Sequence, residues 1–135
     1  LNNDDLFNEY FKFSITRNPW DRMVSAYYHF SSETSFKEYV IDELNKKFVQ
    51  IFDFFGEYID DVHFIRYENL QEDVEYVCKK LSLDYDMNNF GAYKSAYREH
   101  SKNKHYTEYY DEDTRQIIAE KYTKDIEYFG YEFGE

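Results

Sequence analysis

Between residues 10 and 16 the chain reads YFKFSIT, with aromatic and β-branched side chains interleaved with Lys and Ser. Such a run favours a pleated, half-buried strand, predicted to end near Arg17. Asn18 then fits a helix N-cap. Pro19 fits the first helical position, where its fixed φ and missing N–H cost nothing. Trp20, Met23, Val24 and Tyr27 follow at helical spacing and predict a helix to about Phe30 with one apolar stripe. Ser31, Ser32 and Thr34 break that pattern. Phe36, Val40, Leu44 and Phe48 recur at every fourth position and predict a second helix. Residues 48–59, FVQIFDFFGEYI, are apolar and read as helical, with Gly56 as a weak point. VHFIRY at 62–67 predicts a second strand, and Leu70, Val74, Val77 and Leu81 mark a third helix.

Residues 84–110 are polar and show no clear period. A loop of that length in a compact domain is usually functional or disordered. Asp111, Glu112 and Asp113 favour a helix start through the dipole. Ile117, Ile118, Tyr122, Ile126 and Phe129 predict a last helix ending near Gly130. This order of strands and helices is that of an α/β fold, mostly helical, with two parallel strands joined by a helical crossover.

Composition narrows the picture. The 135 residues, 42% hydrophobic, suit a single domain over 1–135 with one modest core. No run approaches the roughly 18 apolar residues of a membrane span. The opening LNNDDLFNEY is too acidic and polar for a signal peptide, and it lacks an initiator Met, as a fragment or processed chain would. A net charge of −12 argues against nucleic-acid binding, which needs clustered cations, but leaves room for a small anion held locally. One Cys excludes an intrachain disulfide, and Cys78 falls in a helical apolar pattern as a core residue. With four His, no multi-ligand metal site is expected. Aromatics reach 22%, which fits a core edged by Tyr hydroxyls and is also compatible with stacking on sugars or bases.

The stretch TRNPWDRMVS carries the chemistry. A parallel strand delivers Arg17 to the carboxyl edge of the sheet, where α/β folds bind ligands. The next helix points its N-terminal N–H groups at the same place, and Arg17 adds a charged fork suited to phosphate oxygens. Ser25 lies about 140° around the helix from Trp20, away from the apolar stripe, and its hydroxyl can donate to the same anion. The plainer use of Arg17 is a pair with a carboxylate such as Asp21, and Asp21 and Arg22 read mainly as an ion-pair network holding the loop.

The run YFKFSITRNPWDRMVSAYYHF resembles the 3′-phosphate-binding segment of sulfotransferases that use 3′-phosphoadenosine 5′-phosphosulfate (PAPS). It is most similar to the carbohydrate sulfotransferase group with its Arg-Asn-Pro-x-Asp-Arg-x-x-Ser-x-Tyr pattern. HFIRYENLQED resembles the family's second strand and following turn. HYTEYYDEDTRQIIAEKYTKDIEYFGYEF resembles its C-terminal helix. The three stretches are in order and span residues 10–133.

The resemblance implies a P-loop-NTPase-like sulfotransferase fold. It assigns Arg17 and Ser25 to the 3′-phosphate of PAPS and Tyr67 to the adenine, where the plainer reading of Tyr67 is a core residue at a strand end. Lys102, Lys104 and His105 occupy the region where relatives return basic residues over the 3′-phosphate, the plainer reading being a solvated loop. It further implies sulfuryl transfer to a hydroxyl, with a glycan as the acceptor. The location it implies is cytoplasmic for a bacterial protein and Golgi for an animal-type parent.

One family feature does not occur. Gly56, Gly91, Gly130 and Gly134 are the only glycines, and none opens a Gly-rich loop followed by Lys-Ser or Lys-Thr to grip the 5′-phosphosulfate. The fold is therefore expected to be truncated, the catalytic base is unassigned, and His29 matches no motif for it. The chain alone is expected to bind nucleotide without catalysis. The alternative is a non-catalytic interaction module of the same fold, whose unpaired sheet edge would favour a homodimer. A kinase-like enzyme is least favoured, because the Walker lysine is missing.

Overall fold

The computed structural model describes residues 3–30, 33–86 and 104–135. Helix α1 (Asn3–Glu9) leads into strand β1 (Lys12–Thr16), followed by α2 (Pro19–Phe30), α3 (Phe36–Asn45) and the short α4 (Ile51–Phe55). A 3-10 segment, Gly56–Asp61, enters strand β2 (Val62–Arg66), and a 3-10 turn, Tyr67–Asn69, leads into α5 (Leu70–Lys80). After the 3-10 turn Tyr106–Tyr109 come α6 (Glu112–Lys121) and α7 (Thr123–Phe129).

The two strands pair in parallel, in the register Lys12 with Val62 through Thr16 with Arg66. Paired residues of a parallel ladder share a face, so Ile15 and Ile65 lie on one side and Ser14 and Phe64 on the other. Behind the first face, Ile65 packs with Leu70 and Val77 of α5. On the second face the Phe64 ring meets Phe55 of α4 and Phe129 of α7. The main core is helical: Trp20, Met23 and Val24 of α2 meet Phe36, Tyr39 and Val40 of α3 and Ile118 of α6. Trp20, Met23, Val24, Phe36 and Val40 belong to the predicted stripes; Tyr39 joins them unpredicted, and Leu44, expected in the second stripe, is exposed.

Four expectations need correction. The second helix stops at Asn45, with Lys46 already extended, so Phe48 is not its last apolar turn. Its ring instead packs edge-on against Tyr122, 4.6 Å between centroids. The stretch 48–59 is α-helical only over Ile51–Phe55, because Gly56 at φ 52° turns the chain into the 3-10 segment. Leu81 falls just past the end of α5 and is exposed. The last helix is two helices, broken where Tyr122 adopts φ −113°, ψ 23°.

No helix among the described residues is long and apolar enough to cross a membrane. None of them gather in a group of three or more His, Cys, Asp or Glu able to hold a metal ion. Cys78 is a free thiol, half-buried.

Candidate functional site

Arg17 is the first residue after β1 and lies at the sheet's carboxyl edge, as expected from its sequence position. Its Nε donates to Asp21 Oδ2 at 2.7 Å. Nη2 lies 2.7 Å from the same oxygen, in an ion pair between half-buried side chains. That contact is not a hydrogen bond, so Nη2 is a buried, ion-paired donor whose hydrogen-bonding capacity is unfilled. A buried guanidinium nitrogen left unbonded is costly, and an added acceptor oxygen would satisfy it.

The face of the fork is supported from the 3-10 turn that follows β2. The guanidinium carbon sits over the Tyr67 ring, 4.0 Å from its centroid. Arg17 and Tyr67, which the resemblance assigns to phosphate and adenine, are therefore neighbours. Ser25 is four residues beyond Asp21 on α2, so both lie on one strip of the helix. The Ser25 side chain is half-buried. Asp21 and Ser25 thus lie on one strip of α2, with Arg17 just ahead of the helix and paired to Asp21.

The helix start itself is closed to a ligand. Asn18 Oδ1 accepts the N–H of Trp20 at 3.1 Å, which is the N-cap predicted from the sequence. Pro19 has no N–H, and the N–H of Asn18 is taken by Glu68 Oε1 at 2.6 Å. The donors that sequence reasoning aimed at an anion are largely occupied by the protein. An anion at this edge would meet the cationic fork of Arg17 rather than the free N–H groups of a helix start.

The turn is clamped by residues the sequence did not single out. Asn18 is fully buried. Its Nδ2 donates to the carbonyl of Glu132 at 2.9 Å and lies 3.5 Å from the Tyr106 hydroxyl. That hydroxyl accepts the N–H of Gly134 at 2.6 Å. Tyr131 donates to Thr16 Oγ1 at 3.2 Å, and the Phe133 ring packs edge-on against Trp20, Tyr106 and Tyr110. Burial, offset in part by the Thr16 bond, pushes the Tyr131 hydroxyl up to about 12. Burial likewise raises Tyr106. Both hydroxyls are therefore neutral at physiological pH, Tyr131 as a donor to Thr16 and Tyr106 as an acceptor from Gly134. Tyr106, Tyr131 and Phe133 lie in the C-terminal stretch that carries the resemblance, but sequence reasoning assigned none of them a role.

The basic loop is placed differently. His105 and Lys104 are exposed. His105 Nδ1 is 2.8 Å from Thr107 Oγ1, and its backbone N–H donates to Glu108 at 2.8 Å, so it begins the 3-10 turn. Lys104 Nζ is 5.9 Å from the Tyr109 ring centroid. The contacts of these two side chains are within their own segment, and the neighbouring Tyr106 is the residue that reaches the Asn18 turn. Lys102 lies outside the described residues. Arg22 departs from the expected ion-pair role: its guanidinium carbon sits 4.7 Å from the Tyr122 ring centroid and 5.4 Å from that of Phe48.

Comparison with known proteins agrees with the motif. A model of the sulfotransferase family matches residues 1–132. An uncharacterized protein of Archaeoglobus fulgidus is 39% identical over 89 residues, covering 58% of this chain and 72% of that protein. No solved structure matches.

Proposed function

We propose that this chain, which belongs to the sulfotransferase family, binds the 3′-phosphate end of PAPS for sulfuryl transfer to a hydroxyl, with a carbohydrate as acceptor. The observation that carries the reading is the buried Nη2 of Arg17 at the edge of the sheet, ion-paired to Asp21 but without a hydrogen bond. A phosphate oxygen satisfies that donor, and the fork geometry suits it.

Arg17 would hold the 3′-phosphate and Ser25 would add its hydroxyl. Tyr67, already against Arg17, would present its remaining ring surface to the adenine. Lys102, Lys104 and His105 remain candidates for cations that approach the phosphate once it is bound. PAPS supplies the sulfuryl group. These side chains hold and orient the nucleotide and carry no proton transfer. The 135 residues contain no Gly-rich loop followed by Lys-Ser or Lys-Thr. The chain by itself is therefore proposed to bind nucleotide without transferring sulfate, on a P-loop-like sulfotransferase fold.

Titration calorimetry with adenosine 3′,5′-bisphosphate tests the reading, with 5′-AMP and the Arg17→Ala variant as controls. Binding that needs both the 3′-phosphate and Arg17 supports it. No binding by the intact chain removes it.

A second reading is favoured by a different observation. Phe13 and Ile15 on β1 are about half exposed, at 47% and 54%, and the sheet has two strands among the described residues. An interaction module pairing through this edge, as a homodimer, would cover them. Light scattering that finds only monomer at high concentration rules out this second reading.

A further inference from the structure

Arg17 is fixed on both sides in the chain. Before it, Thr16 is held through its hydroxyl by Tyr131. After it, the Asn18 N–H is held by Glu68 Oε1 at 2.6 Å. The other Glu68 oxygen, Oε2, lies 3.5 Å from the Tyr131 hydroxyl. One carboxylate thus links the two groups that flank Arg17. It belongs to the residue next to Tyr67, whose ring supports the guanidinium.

A carboxylate near an anion site is electrostatically unfavourable for the anion. Its presence there needs a reason that outweighs like-charge repulsion. A short, charge-assisted bond to a backbone N–H is such a reason, because it sets the direction in which the next side chain leaves the strand. We infer that Glu68 is a positioning residue for the anion site: it holds the Asn18 N–H so that the Arg17 fork is aimed before ligand arrives. The inference rests on the 3′-phosphate reading and adds the residue that organises that site.

The two roles open to this charge predict opposite signs. If Glu68 is only a nearby negative charge, removing it tightens bisphosphate binding. If it positions Arg17, removing it weakens binding despite the relief of repulsion. The experiment compares Glu68→Ala and Glu68→Gln with the wild-type chain by calorimetric titration with adenosine 3′,5′-bisphosphate. Urea unfolding confirms that each variant is folded. Glu68→Ala is expected to bind about tenfold more weakly. Glu68→Gln keeps an acceptor for the Asn18 N–H and is expected within about threefold of wild type. In an Arg17→Ala background the Glu68→Ala change is expected to have no further effect, because the two act as one unit.

A second readout needs no ligand. Hydrogen exchange at the Asn18 amide and at Arg17 Nε is followed by NMR in the free chain, and both should exchange faster in Glu68→Ala. Equal or tighter binding by Glu68→Ala overturns the inference. If the wild-type chain binds no bisphosphate, the 3′-phosphate reading fails. In that case unchanged Arg17 exchange overturns the positioning role, and faster exchange upholds it for whatever anion the fork takes.

Discussion

The Arg17 guanidinium lies over the ring of Tyr67, its carbon 4.0 Å from the ring centroid. The two residues follow the two parallel strands, so the sheet register that pairs Thr16 with Arg66 brings them together. A cation over an aromatic face is attracted by the ring quadrupole, by roughly 0.5–2 kcal/mol depending on desolvation. Tyr67→Phe keeps the face and is expected to bind adenosine 3′,5′-bisphosphate within about twofold of wild type. Tyr67→Leu removes it and is expected to bind about fivefold more weakly. Calorimetry on the three proteins decides. Equal losses for Phe and Leu would mean that the hydroxyl, not the ring, matters.

Arg17 has a geometry that Lys cannot reproduce. Its Nε is hydrogen-bonded to Asp21, while Nη2 is ion-paired to the same carboxylate without a hydrogen bond. Arg17→Ala is expected to lower bisphosphate affinity by about 10- to 100-fold, the loss of one or two charge-assisted bonds. Arg17→Lys should recover only part, because a point charge lacks the planar fork. The sharper sign is specificity: without Arg17, the bisphosphate and 5′-AMP should bind alike. An Ala variant that still prefers the bisphosphate would move the phosphate site elsewhere.

Asp125 is structural. It is 2% exposed and lies on α7. Its carboxylate accepts the N–H groups of Ile51 at 3.1 Å and Phe52 at 2.9 Å. Those are the first donors of α4, so a residue from a distant helix supplies the cap that Gln50 does not. Asp125→Ala is expected to lower unfolding free energy by about 2–3 kcal/mol. Asp125→Asn, which keeps an acceptor, should lose less. Urea unfolding followed by the fluorescence of Trp20, the single Trp, provides the measurement. Equal stability for Asp125→Ala and wild type would contradict the capping role.

Stability should fall at both ends of the pH range. Asp111 is held well below the usual carboxylate range, first by the Lys37 ammonium and then by the N–H and hydroxyl of Thr114. Glu38 is lowered by the hydroxyl and N–H of Ser35. For both, the folded pKa is below the unfolded one. Their contribution is complete above about pH 4 and is lost as pH falls below it. Asp111→Asn should flatten that acid limb in thermal unfolding, and parallel curves for the two proteins would count against it.

At the alkaline end the shift has the opposite direction. Burial pushes Tyr131 up from 10.0 to about 12, and Tyr110 and Tyr122 are raised by the same cause. The folded state keeps protons that the unfolded chain has lost. For Tyr131, stability therefore declines as pH rises from 10.0 toward about 12. Tyrosinate absorbance should show one class of Tyr ionising in the native chain and a second appearing only with unfolding. A single transition before unfolding would exclude the buried class.

Much of the site-bearing unit is local, and for that reason the sequence alone determined it. The strand run ending at Arg17, the Asn18 cap with Pro19, the apolar stripe of α2 and the motif that places Ser25 on its opposite side all depend on residues within one or two turns of each other. The same holds for the family resemblance, which rests on contiguous stretches. Periodicity was less informative where distant partners decide. Nothing between residues 46 and 50 says that Phe48 will leave the helix pattern to meet Tyr122. Nor does the stripe through Ile118, Tyr122 and Ile126 show the break at Tyr122.

The clamp on the Arg17 turn was invisible for the same reason. Asn18 meets Glu68 across 50 residues and Glu132 across 114. Each of those partners looks, in sequence, like one more acidic residue in an acidic chain. A hydrogen bond over that span has no spacing rule, because its geometry is set by the strand register and by how the C-terminal tail packs on Trp20 and Tyr106. Sequence determined which residue carries the charge at the sheet edge. Tertiary structure decided what that charge rests on, which donors the protein keeps for itself, and that Arg17 Nη2 is buried without a hydrogen bond.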